Sequence, residues 1–281
     1  MKKILVPVDF SEKSEDALRI AAKICKRNGA EIHVIHLIDL PSNEIDLVGG
    51  PGLGQGPYAI ELMEYVHDRF DVFLDKDFLN GITVYEHVLF NKPFEGISSF
   101  ANESKADMIV IGSHGTSGLD SIFVGSNTEK VVRSSKIPVL VVKASPDDFK
   151  VENFVIASKF EGKYMREFDK IMKFARIYNP KIHLLRVNTI SNFLSTRELE
   201  ENMNAFMKKA KLEEEVSVNF YDDYTVQEGI FHFADKVDAD LIGLATRGRQ
   251  GLMHFFSDSV AESVVNKAKT NILTIKVGKD D

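Results

Sequence analysis

The feature that most constrains this chain is that it repeats itself. Residues 107–143 (DMIVIGSHGTSGLDSIFVGSNTEKVVRSSKIPVLVVK) lie over residues 240–276 (DLIGLATRGRQGLMHFFSDSVAESVVNKAKTNILTIK) without a gap, at a shift of 133 positions. Asp107 meets Asp240, Gly115 meets Gly248, Leu119 meets Leu252, Ser126 meets Ser259 and Glu129 meets Glu262. The amino ends repeat too: at a shift of 150, Ile4-Leu5-Val6 meets Phe154-Val155-Ile156, and Ile32-His33 meets Ile182-His183. Self-similarity at this period means two copies of one domain. The length of 281 residues, 44% of them hydrophobic, suits two cores better than one. A junction near Ser145-Pro146-Asp147-Asp148 divides the chain into domains 1–146 and 147–281.

Within the first copy, short apolar runs alternate with helical periodicity. Residues 4–8 read as a buried strand, Ala17, Leu18, Ala21, Ile24 and Cys25 as the apolar face of a helix stopped by Asn28-Gly29, and residues 31–38 as the next strand. Residues 58–79 have helical spacing, 82–90 strand character, and 93–104 a helix with Pro93 in its first turn. Residues 108–111 and 137–142 are two further apolar strands. Strands separated by helices imply right-handed crossovers in a parallel sheet, an α/β doubly wound fold. Ligands in such sheets bind beyond the carboxyl ends of the strands. Asp9, Ile38 and the loop after Gly112 all fall at such ends.

That loop carries the chemistry. Gly112, Gly115 and Gly125 lie where a Cβ would obstruct the approach of an anion to backbone N–H groups. Ser126 with Glu129 three residues later has the S-x-x-E form of a capping box, which aims free donors and the positive end of a helix dipole back at the loop. The spacing G-2x-G-9x-G-S at Gly112, Gly115, Gly125 and Ser126 resembles the ATP-binding signature of the universal stress protein family. The resemblance covers nearly the whole chain, except the Gly/Pro-rich insertion at 49–57 and the junction.

The resemblance implies two tandem five-stranded parallel sheets of strand order 3-2-1-4-5, related by a pseudo-twofold. The apolar last strands, 137–142 and 272–277, are candidates for the contact because an uncovered apolar edge invites aggregation. It implies an adenine nucleotide, ATP, ADP or AMP, with Mg2+ as a candidate companion. Its contacts would be Pro7, Val8, Asp9 and Ile38 toward the base and ribose, and Ile111, Gly112, His114, Gly115, Gly125, Ser126, Asn127 and Thr128 toward the phosphates. One nucleotide per chain is expected, because the second copy keeps the helix cap as Ser259 and Glu262 but replaces Gly112 by Ala245, Gly125 by Asp258 and Asp9 by Lys159. A carboxylate at Asp258 repels phosphate and fills space the glycine leaves open. Arg247 and Arg249 retain some attraction for an anion.

The remaining chemistry is thin. A formal charge of −7 without a basic stripe argues against nucleic acid, and no apolar run reaches membrane-spanning length, so a cytoplasmic protein is expected. One cysteine, Cys25, lies on an apolar helix face and reads as a packed thiol. No P-loop, H-E-x-x-H, C-x-x-C or G-x-S-x-G motif occurs, and no catalytic or metal-ligand set is identified. Equivalent strand positions at His33 and His183 favour a shared packing role over metal ligation. Residues 49–57 fit neither phosphate-loop pattern and read as a connecting loop. Three roles compete: a nucleotide-dependent stress or signalling module with an unknown protein partner, a weak ATPase, and a ligand-free tandem scaffold. A homodimer is compatible with all three.

Overall fold

The computed structural model describes residues 1–39, 57–113, 125–161, 165–212, 216–246 and 258–276. His114, Gly115, Arg247, Arg249 and residues 49–56 of the insertion lie outside the described residues. The first repeat runs β1 (Lys3–Pro7), α1 (Glu12–Asn28), β2 (Glu31–Ile38), α2 (Pro57–Leu74), β3 (Val84–Phe90), α3 (Pro93–Glu103), β4 (Met108–Gly112), α4 (Ser126–Ser134) and β5 (Val139–Val142). The second runs β6 (Asn153–Ala157), α5 (Met165–Tyr178), β7 (Lys181–Asn188), α6 (Thr196–Ala210), β8 (Val216–Asp222), α7 (Val226–Lys236), β9 (Leu241–Thr246), α8 (Asp258–Lys267) and β10 (Asn271–Lys276). Helix α2 stops at Leu74, short of the expected limit, and a single 3-10 turn at Asp77–Leu79 completes the stretch.

Two compact units result. Among the described residues, the first holds those up to Ser113 together with Gly125–Val131, and the second holds those from Val132 onward. The first unit orders its strands β3-β2-β1-β4, all parallel. The second orders five parallel strands β10-β9-β6-β7-β8, which is the order the family resemblance implies. Strand β5, although it ends the first repeat, belongs to the second unit. It pairs antiparallel with β10, setting Val141 opposite Ile272, Leu140 opposite Leu273 and Val139 opposite Thr274. Asn271 Oδ1 reinforces the pairing by accepting from the N–H groups of Lys143 and Ala144. The two apolar last strands singled out in the sequence therefore meet each other.

Local chemistry accounts for the elements. Ser11 caps α1 by accepting from the Ser14 N–H, and Gly29 ends it in the left-handed region at φ 70°, its N–H reaching the Cys25 carbonyl. Between the caps, Ala17, Leu18, Ile20, Ala21, Ile24 and Cys25 are buried. Burial pushes the Cys25 thiol up to about 12, as a packed rather than reactive sulfur requires. Strand β1 is fully buried at Ile4, Leu5 and Val6, each contributing on the order of 1.5–3 kcal/mol.

The repeated aspartates also have a reason. Asp107 Oδ2 accepts from the N–H groups of Lys2 and Lys3, and Asp240 Oδ2 accepts from those of Glu152 and Asn153. In both copies a carboxylate before the fourth strand holds the start of the first. His33 and His183 are likewise buried and bonded within the sheet, to Glu31 and His87 in one case and to Ser217 and Asn153 in the other.

Candidate functional site

The turn after β1 is set by its own side chains. Asp9 Oδ1 accepts from both the N–H and the hydroxyl of Ser11, the residue that caps α1. Phe10 is held at φ 62°, a conformation unfavourable for a bulky residue. Packing compensates: its ring meets His36 at 4.6 Å, Phe70 at 5.0 Å and Phe73 at 5.5 Å, with the Arg69 guanidinium 4.3 Å above it. Asp9 is thereby presented from a braced turn, and one of its oxygens works for the turn itself.

At the end of β2, His36 Nδ1 donates to the Val8 carbonyl at 2.9 Å, which joins the two strand ends and leaves Nε2 as an acceptor. Burial lowers the His36 pKa and favours this neutral ring, with the Val8 bond and the Asp9 charge acting in the opposite direction. The sequence pointed to Ile38, but Leu37 is the β2 aliphatic residue that lines the crevice. Leu37 also meets α3 at Gly96, where a Cβ would approach its Cδ2 to 1.9 Å. The equivalent Gly229 faces Val187 in the same way, so in both repeats a glycine stands where α3 or α7 closes on the second strand. The shared E-G-I at 95–97 and 228–230 was the available signal for it.

The third side is built by β4 and α4. A Cβ on Gly112 would lie 2.7 Å from the Lys13 carbonyl oxygen. This glycine is therefore needed for the first turn of α1 to approach β4, a packing demand that spacing alone could not separate from a ligand's. Thr128 is buried and donates its hydroxyl to the Gly112 carbonyl at 3.0 Å, while the Gly125 N–H reaches the Ser113 carbonyl at 2.8 Å. These two bonds fasten the start of α4 to the end of β4.

The capping box is corrected in one respect. The Glu129 N–H bonds to the Gly125 carbonyl at 3.0 Å, so Gly125 occupies the cap position and Ser126 is already the first helical residue. The helix starts one residue earlier than the S-x-x-E pattern predicts because the Gly125 backbone is free to take the capping conformation. Ser126 and Asn127 are consequently exposed toward the crevice, and the N–H groups of Ser126, Asn127 and Thr128 precede the first intrahelical donor.

The result is one crevice of about 260 Å3 within the first unit. Pro7, Val8 and Asp9 line it from β1, His36 and Leu37 from β2, and Ile111 and Gly112 from β4. Gly125, Ser126, Asn127 and Thr128 line it from α4, Pro93 and Ile97 from α3, and Ser14 from α1. Of the expected site residues, all the described ones except Ile38 converge here, and His114 and Gly115 lie outside the described residues. Sequence reasoning missed Ser14, His36, Leu37, Pro93 and Ile97, none of which belongs to the glycine-spaced signature. The crevice has an apolar wall of Pro7, Val8, Leu37, Ile97 and Ile111, and a polar end at the amino terminus of a nine-residue helix. Such a shape suits a flat heterocycle joined to an anion.

A doubly wound α/β unit with its crevice at the strand ends, repeated once, is the class of protein that fold and site define. The sequence matches the profile of the Universal stress protein family over residues 1–143 and 166–276, and the chain belongs to that family. Two universal stress proteins of Methanocaldococcus jannaschii are 34% and 33% identical over 153 residues. Each alignment spans 50% of this chain, and 82% and 94% of the relative. The crystal structure of a universal stress protein from Archaeoglobus fulgidus DSM 4304 has the same fold along the whole length. Its TM-score is 0.67 at 22% identity, with 99% of this chain and 97% of that one covered. Among the described residues, no helix is long and apolar enough to cross a membrane.

Proposed function

We propose that the first unit binds one adenine nucleotide, ATP or its di- or monophosphate, and that the chain serves the stress response as a nucleotide-dependent binding module rather than as a catalyst. The observation that carries this is the crevice that joins an apolar wall to the amino terminus of α4. The base fits between Pro7, Val8 and Leu37, with the Asp9 carboxylate and the His36 Nε2 as acceptors for base or ribose donors. The phosphates fit at Gly125, Ser126 and Asn127, where backbone donors and the helix dipole favour negative charge. Thr128 contributes its N–H, since its hydroxyl already donates to Gly112. His114 and Gly115, which the resemblance implies as phosphate contacts, lie outside the described residues.

The test is nucleotide content followed by titration. Protein purified without added ligand is denatured and its supernatant analysed for adenine nucleotides, and the stripped protein is titrated calorimetrically with ATP, ADP, AMP and GTP, with and without Mg2+. The reading requires about one site per chain and a preference for adenine. A stripped protein that ignores every nucleotide would instead support the ligand-free scaffold, and turnover of ATP by the full chain would support the enzyme.

A further inference from the structure

The second unit carries, at the matching strand ends, positive charges where the first has a carboxylate and an imidazole. At the shift of 150, Asp9 becomes Lys159 and His36 becomes Arg186. His36 is satisfied by the Val8 carbonyl. Arg186 has no counterpart to that bond. It lies on β7 beside Phe220 of β8, is only 7% exposed, and among the described residues makes no hydrogen bond or ion pair. Burial lowers its pKa, and the only opposing influence is the longer-range attraction of Glu161.

A guanidinium presents five N–H donors in a rigid fork, and a largely buried side chain that makes no hydrogen bond among the described residues keeps that fork available to a ligand. Nearby polar groups are committed elsewhere. The Asn188 side chain is divided between Asp222 and the backbone of Leu194, and Lys159 and Glu161 each have an interaction of their own. The fork matches a planar or tetrahedral oxyanion. The helix position that faces phosphate in the first unit is occupied here by Asp258, the first residue of α8, so the attractive charge has moved from the helix terminus to the strand end.

We propose that the second unit holds a small oxyanion, a phosphate or carboxylate group, against the buried guanidinium of Arg186 at the carboxyl end of β7. The site is separate from the nucleotide crevice and does not depend on it. An adenine nucleotide is not its ligand, because Lys159 replaces the carboxylate of Asp9 and Ala245 and Asp258 replace both described glycines.

The experiment uses the full chain, titrated with sodium phosphate and with sodium malonate against sodium chloride at matched ionic strength. The readouts are the Arg186 Nε–H resonance and the melting temperature. Phosphate or malonate should shift that resonance in a saturable way and raise the melting temperature, whereas chloride should do neither. Arg186→Gln should weaken the response about tenfold or more by loss of the charged fork, while leaving nucleotide titration of the first unit unchanged. The two oxyanions distinguish a phosphate-selective from a carboxylate-selective site, and a response to either supports the proposal. If neither oxyanion exceeds chloride, or if Arg186→Gln responds as the parent does, the proposal is wrong. Should Arg186→Gln not fold, the resonance titration of the unmodified protein decides alone. Failure of nucleotide binding in the first unit would leave these outcomes unaffected.

Discussion

The two units are variations on one scaffold, and their differences are concentrated at the strand ends. Both set an aspartate before the fourth strand, Asp107 or Asp240, to hold the first strand. Both carry a phenylalanine in the left-handed region after the first strand, Phe10 at 62° and Phe160 at 53°. Both place a glycine where α3 or α7 meets the second strand. These features determine whether the unit closes, and they are retained. Asp9, His36 and Gly125 line the crevice, and at the matching positions of the second unit stand Lys159, Arg186 and Asp258. A fold tolerates replacement at its strand ends because those positions are covered by ligand or water, whereas the buried strands and their helix contacts tolerate very little.

The largest test of this comparison exchanges one residue. Gly125→Asp should abolish nucleotide binding, by a hundredfold or more from lost donors and added repulsion, on the order of 3 kcal/mol. The variant should still unfold cooperatively, because α8 begins with Asp258 at the matching position. Calorimetric titration with a circular-dichroism melt reads both, and an unfolded variant would show that Gly125 serves the backbone alone. The reciprocal Asp258→Gly should create no second nucleotide site while Lys159, Arg186 and Ala245 remain.

Gly112→Ala should lower the stability of the first unit by about 1–3 kcal/mol, since the new Cβ collides with backbone at Lys13 rather than with a movable side chain. Urea denaturation measures this. A neutral result would mean that α1 can withdraw freely, and would assign Gly112 to the ligand after all.

Acid should weaken both units. His36 and His87 in the first and His183 in the second all have pKa values lowered chiefly by burial. A lowered histidine is neutral in the folded chain at a pH where the unfolded chain has begun to protonate. Its stabilising contribution is therefore complete above the unfolded value of about 6.5 and is lost as pH falls below it. Melting temperatures between pH 8 and pH 5 should decline only below about 6.5, and His36→Gln should reduce the decline. A decline that starts well above 6.5 would point to other groups.

The smallest effect is expected at Ser126. Because Gly125 supplies the cap, Ser126→Ala should change stability by less than about 0.5 kcal/mol, where a true serine cap would cost about 1 kcal/mol. A several-fold loss of nucleotide affinity with unchanged stability would place the hydroxyl on the ligand. A loss of stability would restore the capping box.

The repeat, the alternation of strand and helix and the glycine-serine signature were legible in the sequence because each is a local pattern of residue types. They were sufficient for the α/β class and for the family. Three points were not legible. Leu37 rather than Ile38 lines the crevice, where it also packs against Gly96 of α3. Gly112 meets Lys13, about a hundred residues away along the chain, and no spacing rule contains that contact. His36, Pro93 and Ile97 reach the crevice from elements outside the signature.

By itself, then, the sequence determined that two copies of one α/β domain would form, with a nucleotide-type signature in only the first, since periodicity and residue type act within a few turns of chain. The tertiary structure decided which side chains share the crevice and why Gly112 must lack a Cβ. Those outcomes depend on distances between segments far apart in sequence, which only the packed chain defines.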